Sequence, residues 1–209
     1  MRLRASPVDG VRRVYDRIAR RYDPMMAVVD ALLFSGGRSW VATRAEGCVL
    51  EVAVGTGRNL PLYPPATRIV GVDVSPAMLA LAQQRSESLP LHIDLHVGDA
   101  QRLALPDASF DTVVFTLALC SIPDSKLAIN EAWRVLRPGG RLLALEHVRS
   151  PVAPVRAAQR ALHPLFVRAM CDHLLREPAD EAAAAGFEIE RIERARLGIV
   201  ERLIAIKPT

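Results

Sequence analysis

The sequence predicts an α/β fold, a mostly parallel seven-stranded sheet with helices on both faces. Three observations lead there. From residue 47 onward, short apolar runs alternate with helix-like segments, the pattern of βαβ units. The first of those runs passes directly into a glycine-bearing turn, Gly55-Thr56-Gly57. The chain has 209 residues, 50% hydrophobic and 24% charged, which supplies one large core without disulfides or a structural metal.

Taken in order, residues 8–34 read as one or two helices. Val11, Val14, Tyr15, Ile18 and Tyr22 recur at helical spacing, and arginines 12, 13, 17, 20 and 21 crowd the remaining surface. Pro24 is expected to interrupt or restart this helix, and Gly36-Gly37 to end it, so that 8–36 forms a helical cap. Strands are expected at Cys48–Val54, Arg68–Asp73, Leu91–Val97, Phe110–Phe115 and Arg141–His147. Helices are expected between them at 57–62, 76–87 and 124–137. Residues 150–178, punctuated by Pro151, Pro154, Pro164 and Pro178, read as a helical insertion over the sheet rather than a second domain. An alanine-rich helix at 178–186 stops at Gly186. Phe187–Arg194 and Glu201–Lys207 close the sheet, with Gly198 at the turn. The whole chain, 1–209, is thus expected to be one domain.

Composition excludes several classes. There are 27 basic residues against 23 acidic ones, a net charge of +4. That balance does not point to nucleic acid. Cys48, Cys120 and Cys171 are odd in number and form no CxxC pair, which fits a reducing compartment, the cytoplasm. Met1 to Asp9 lacks the apolar stretch of a secretory signal. No apolar run reaches membrane-spanning length. Surface contact with lipid stays open.

The segment Val49-Leu50-Glu51-Val52-Ala53-Val54-Gly55-Thr56-Gly57 carries the chemistry. Glycines after a strand permit a tight turn and close ligand approach, at the sheet edge where α/β folds bind ligands. Asp73 ends the next strand, sixteen residues after Gly57. A carboxylate there can accept both hydroxyls of a ribose. A dinucleotide fingerprint would require glycine at position 60, which is Leu60, and no GKS or GKT is present. The reading left is a ligand with an adenosine part and no phosphate cradle. Asp99, in Gly98-Asp99-Ala100, can accept from an exocyclic amine.

These pieces resemble the class I S-adenosylmethionine-dependent methyltransferases, in the small-molecule branch that methylates quinones, phospholipids and alkyl thiols. The resemblance covers roughly residues 12–207. It rests on Tyr15-Asp16, Tyr22-Asp23, Leu50 to Gly57, Val72-Asp73-Val74-Ser75-Pro76-Ala77-Met78, Gly98-Asp99-Ala100, Phe110-Asp111 and Arg134 to Gly140. It implies the Rossmann-like fold of that family and S-adenosyl-L-methionine as cofactor. It further implies that Glu51, Ala53, Gly55 and Gly57 line the methionine side, with Ala53 standing where the family's first glycine is usual. Asp73 and Val74 would hold the ribose and Met78 would lie beside the adenine. Asp99 and Ala100 would meet the adenine edge, Thr116 and Leu117 would continue the wall, and Tyr22 would close over the methionine part. The implied activity is methyl transfer to a small, hydrophobic acceptor such as a thiol, phospholipid or quinone precursor.

Displacement at a sulfonium methyl demands alignment and exclusion of water, and demands a base only for weakly acidic acceptors. The candidates are His147, at the end of the fifth strand, and Asp172-His173 in the insertion. The histidines lack metal-ligand spacing, so no metal is expected. Cys120, among apolar neighbours, reads as packing. The competing readings are a cofactor-binding regulatory or scaffold protein without catalysis, and an NAD-linked oxidoreductase, against which Leu60 counts.

Overall fold

A computed structural model of the chain describes residues 6–209. The reading of Met1 to Asp9 falls largely outside them. Helix α1, Pro7–Leu32, starts on a capping box. The Ser6 hydroxyl accepts from the Asp9 amide, and the Asp9 carboxylate accepts from the Ser6 amide. Pro24 lies inside α1 and does not interrupt it, contrary to the expectation. An internal proline removes one hydrogen bond and costs about 3 kcal/mol. Here the helix is tied down on both sides of the proline by side-chain contacts described below. The chain turns at Gly36, whose φ is 69°, into a helix that periodicity did not foresee, α2 (Gly37–Ala42). Trp40, Val41 and Ala42 of this short element are buried.

The strands are β1 (Cys48–Val52), β2 (Arg68–Asp73), β3 (His92–Val97), β4 (Phe110–Thr116), β5 (Leu136–His147), β6 (Glu188–Ala195) and β7 (Val200–Ile206). The helices between and after them are α3 (Pro76–Ser86), α4 (Ser125–Val135), α5 (Ala153–Met170) and α6 (Pro178–Ala184). The sheet order is β3-β2-β1-β4-β5-β7-β6. All neighbours are parallel except β7, which runs antiparallel to both β5 and β6. The expected helix over 57–62 is only a 3-10 turn, Leu60–Leu62. Pro61 can start such a turn, but Pro64-Pro65 cannot continue it. β5 begins five residues before the expected start, at Leu136, because Phe110 pairs with Leu136 across an irregularity before Thr112 pairs with Arg141.

The strands alternate their side chains between two cores, as a sheet covered on both faces requires. Leu50, Val52, Phe115, Leu142 and Ala144 pack with Ala128, Ile129 and Ala132 of α4 and with Ala179 and Ala182 of α6. Val49, Ile69, Val114, Leu143 and Leu145 pack on the other side with α2 and with Leu79 and Ala82 of α3. Strand order reverses between β1 and β4, which opens a crevice at their carboxyl ends. Leu60 seals the floor beside that crevice and is fully buried. Truncating it leaves a cavity next to Gly57 and Ala82, so Leu60→Ala is expected to lower unfolding stability by about 2–5 kcal/mol, read by denaturant titration.

Candidate functional site

The turn after β1 sets the site. Ala53 takes a left-handed φ of 55°, followed by Gly55 at 59° and Gly57 at 74°. A side chain on Gly55 would meet nothing closer than the Ala53 carbonyl at 4.0 Å, so its face is open. Gly57 differs. A Cβ there would lie 2.6 Å from Leu60 Cδ1 and 3.2 Å from Ala82 Cβ. The missing third glycine is thus a leucine whose side chain fills the space that Gly57 leaves.

The crevice holds a cavity walled by the turns after β1, β2, β3 and β4 and by α1. Eleven of the residues singled out above line it: Tyr22, Glu51, Ala53, Gly55, Asp73, Val74, Met78, Asp99, Ala100, Thr116 and Leu117. Gly57 does not, and its role is the packing just described. Sequence reasoning did not single out Arg38, Thr56 or Arg58, which also line the cavity, and it gave Tyr15 no site role.

Buried carboxylates end the strands around the crevice. Asp73 Oδ2 accepts the Gly55 amide and Oδ1 the Ser75 amide, each at 2.8 Å. Burial drives its pKa up, against those two bonds, to about 6. Each oxygen keeps a free lone pair, the acceptor pair that a ribose diol needs. Glu51 accepts from Asn59 Nδ2 and from the Tyr63 hydroxyl, both at 2.9 Å. Burial pushes it to about 7, despite those donors and the charge of Arg38. Asp99 Oδ1 accepts the backbone and side-chain amides of Gln101, both at 2.9 Å.

Helix α1 roofs the cavity. Its aspartates fall at 9, 16, 23 and 30, seven apart, and a heptad drifts only about 20° around a straight helix. Asp16 accepts from the Ser75 hydroxyl at 2.6 Å. Asp23 accepts from the Thr56 hydroxyl at 2.6 Å and pairs with Arg85. Burial opposes charge on Asp23, but the Thr56 and Arg85 donors prevail and hold its pKa below the ordinary value. Asp30 takes Arg38 at 2.7 Å and Arg58 at 2.9 Å. Arg38 also reaches Asn59, and through it Glu51. Tyr15 and Tyr22, likewise seven apart, meet edge to face with centroids 6.2 Å apart. The Tyr15 hydroxyl bonds Ser121 Oγ at 2.5 Å. The heptad of Tyr-Asp pairs was the readable signal for this roof.

The three base candidates do not line the cavity. His147 Nε2 lies 2.8 Å from Asp172 Oδ1. Burial works against the charged imidazole, but Asp172 overrides it and raises the pKa. Asp172 is correspondingly lowered, His147 outweighing its burial. His147 Nδ1 is buried without a partner. His173 is held by its backbone amide on the Cys120 carbonyl at 2.8 Å, and its ring packs at a tilt against His163 instead of joining the pair. Cys120 is buried, and burial pushes its thiol well up. Its sulfur, a ring nitrogen of His147 and a carboxylate oxygen of Asp172 all lie within 4.8 Å of one another, a convergence of three chain segments that no local spacing announces. Beside them the buried Glu146 accepts the Ala118 and Leu119 amides at 2.8 and 3.0 Å. Burial raises its pKa to about 7.

A crevice at a sheet switch point, walled by a glycine turn and a ribose-type carboxylate, is a nucleoside-cofactor site. Comparison with known proteins agrees. The family described as "Methyltransferase domain" matches residues 50–144. The chain is 40% identical over 144 residues to a demethylmenaquinone methyltransferase of Deinococcus radiodurans, across 66% of this chain and 60% of that protein. It is 33% identical over 169 residues to the thiol S-methyltransferase TMT1B of Rattus norvegicus, across 77% of this chain and 68% of that one. A crystal structure of a SAM-dependent methyltransferase from Thermotoga maritima shares the fold with a TM-score of 0.73 at 23% identity, covering 93% of this chain and 99% of that one. The chain belongs to the class I S-adenosylmethionine-dependent methyltransferases. It spans about six-tenths of the length of the first relatives it matches.

The Asp23–Arg85 pair fastening the roof is about one-third exposed. Discounted for solvent screening, it contributes about 1 kcal/mol. Arg85→Ala is therefore expected to speed amide exchange in the middle of α1 roughly fivefold, with α4 unchanged.

Proposed function

We propose that the protein transfers a methyl group from S-adenosylmethionine to a small hydrophobic acceptor, a thiol, a phospholipid or a quinone precursor. The observation that carries this reading is one cavity lined both by the carboxylates Asp73, Asp99 and Glu51 and by the apolar side chains of Leu117, Ile122 and Val11. In this reading Asp73 holds the ribose hydroxyls, Asp99 and Ala100 the adenine edge, and Met78 the adenine face. Glu51 takes the ammonium of the methionine part, and Tyr22 closes over it. When bound, the cofactor supplies an electrophilic methyl group on a positively charged sulfur. The chain's share of the chemistry is to align the acceptor and keep water out, and the bond between Tyr15 and Ser121 suits that closure. The chain works as one unit, with 8–36 as its cap and 150–178 as the insertion beside the acceptor side. Three unpaired cysteines support a reducing, cytoplasmic setting, and no separate basic region supports nucleic acid as the substrate.

Substitution of the ribose acceptor tests the cofactor assignment. Asp73→Asn is expected to weaken S-adenosylmethionine binding roughly ten- to hundredfold, the loss of one charge-assisted bond. Titration calorimetry reads it, with circular dichroism checking the fold. The raised carboxylates add a pH signature. Glu51 at about 7 and Asp73 at about 6 must be ionised to accept from a cationic ligand, so affinity falls as pH drops through 7 and then 6. Below 6 the fall reaches about tenfold per pH unit for each group that must lose a proton. Binding near pH 6.5 releases protons, seen as a heat that depends on the buffer.

For acceptors that must lose a proton, His147 is the proposed base, working through one water because its ring lies off the cavity lining. Ionised Asp172 can only accept, so Nε2 carries its hydrogen toward it and Nδ1 is the atom free to take a proton. Asp172 raises the pKa of His147, so the base form, and with it turnover of a phenol or amine, appears only as pH rises through that raised value. Asp172→Asn removes the larger raising influence and leaves the burial and the smaller effect of Glu146. Its pH–rate profile is therefore expected to shift to lower pH and its plateau to drop, while a thiol already ionised is barely affected. His173 has no proton-transfer role here.

The decisive assay offers methyl-labelled S-adenosylmethionine together with alkyl thiols, phenols, quinol precursors and aminophospholipids. Label is expected in one class. A folded protein that binds the cofactor and labels none of them overturns the reading in favour of a binding or scaffold role.

A further inference from the structure

Helix α5 spans 18 residues and none of them is buried. Its inner stripe, Val155, Gln159, Phe166, Val167 and Met170, is half-buried. Gln159 is pinned to the chain just after β5, donating to the Val148 carbonyl at 2.8 Å and accepting the Ser150 amide at 2.8 Å. The outer face carries Leu162 at 47% and Leu165 at 61% exposure, with exposed Ala158, Ala161 and Ala169 around them. Arg168 lies beside that apolar strip and Arg160 at the far edge of the exposed face, both exposed. From His147 to Cys171 the chain contains four arginines and no acidic residue. The carboxylates that follow are taken, Asp172 by His147 and Glu177 by Arg149. Both ends of α5 also return to the carboxyl edge of the sheet that bears the cavity, through His147 before it and through His173 on the Cys120 carbonyl after it.

An exposed leucine strip with arginines along one side of it, on a helix free of acidic groups, matches the composition of helices that lie in the headgroup layer of a bilayer. A protein partner would require a complementary apolar groove. An anionic lipid surface requires only the positive edge and the apolar strip seen here. We propose that α5 is a membrane-docking helix that seats the protein on anionic phospholipid through Leu162, Leu165, Arg160 and Arg168. Because both ends of α5 return to the carboxyl edge of the sheet, docking there brings the edge that bears the cavity toward the bilayer. The docking itself does not rest on the methyl-transfer reading.

Cosedimentation of the full chain with vesicles tests this, without cofactor or acceptor, so the result is independent of catalysis. Vesicles of phosphatidylcholine alone are compared with vesicles containing added phosphatidylglycerol. Binding is expected on the anionic vesicles, weakened by salt. It should fall roughly tenfold or more in the double variant Arg160→Glu with Arg168→Glu, and likewise in Leu162→Ser with Leu165→Ser. These side chains are exposed, so the circular dichroism spectrum and melting temperature should not change. Equal binding to both vesicle types, or full binding by the leucine variant, overturns the proposal. So does a wild-type dimer in sedimentation velocity that the leucine variant converts to monomer with no vesicle binding in either, since the strip would then cover a second copy of the chain.

Discussion

One buried carboxylate ties the site together. Asp73 accepts the amide of Gly55 from the turn after β1 and the amide of Ser75 from the turn after β2. Ser75 in turn caps α3 through the Met78 amide and donates its hydroxyl to Asp16 of α1. Two strand ends, a helix start and the roof therefore meet within two links of a single side chain. An aspartate this buried is costly unless its acceptors are used. The fold meets that requirement with neutral donors, which leave the charge uncancelled.

The same choice recurs at the carboxyl ends of β1 and β5. Glu51 is held by an amide and a phenol, and Glu146 by two backbone amides. None of the three carboxylates is paired directly with a cation, and burial raises all three pKa values. The cations of the region, Arg38, Arg58 and Arg85, are used by Asp23 and Asp30 to fasten α1. Arg38 and Arg58, though they line the cavity, pair with Asp30 of the roof, and the strand-end carboxylates keep neutral donors. That arrangement suits a ligand carrying an ammonium and a sulfonium. It also explains why the roof is held by partly exposed ion pairs, which open at small cost, and not by a second apolar core.

Much of this was legible in the residues, and the failures are informative. β2 runs from Arg68 to Asp73 as the apolar pattern indicated, because a strand buried on both faces leaves a continuous signal. The glycine turn, Asp73 and Asp99 converge on one cavity as their positions at strand ends suggested. Pro24 misled because local propensity takes no account of the bonds that Asp16, Asp23 and Asp30 make to distant segments. Residues 57–62 misled in the opposite sense, since three nearby prolines, at 61, 64 and 65, outweighed an apolar run. The buried helix α2 is too short to show a period at all.

The sequence by itself determined the alternation of strands and helices, the glycine turn after β1 and the acidic strand ends, because each depends on neighbours a few residues apart. Only the tertiary structure decided that Gly57 makes room for Leu60 and lies off the cavity, and that Tyr15 closes on Ser121 across 106 residues. It alone separated the pair of His147 and Asp172 from His173. It also left α5 without a buried face. These outcomes depend on which segments the sheet order brings side by side, and contacts between remote segments leave no period or spacing in the chain to read.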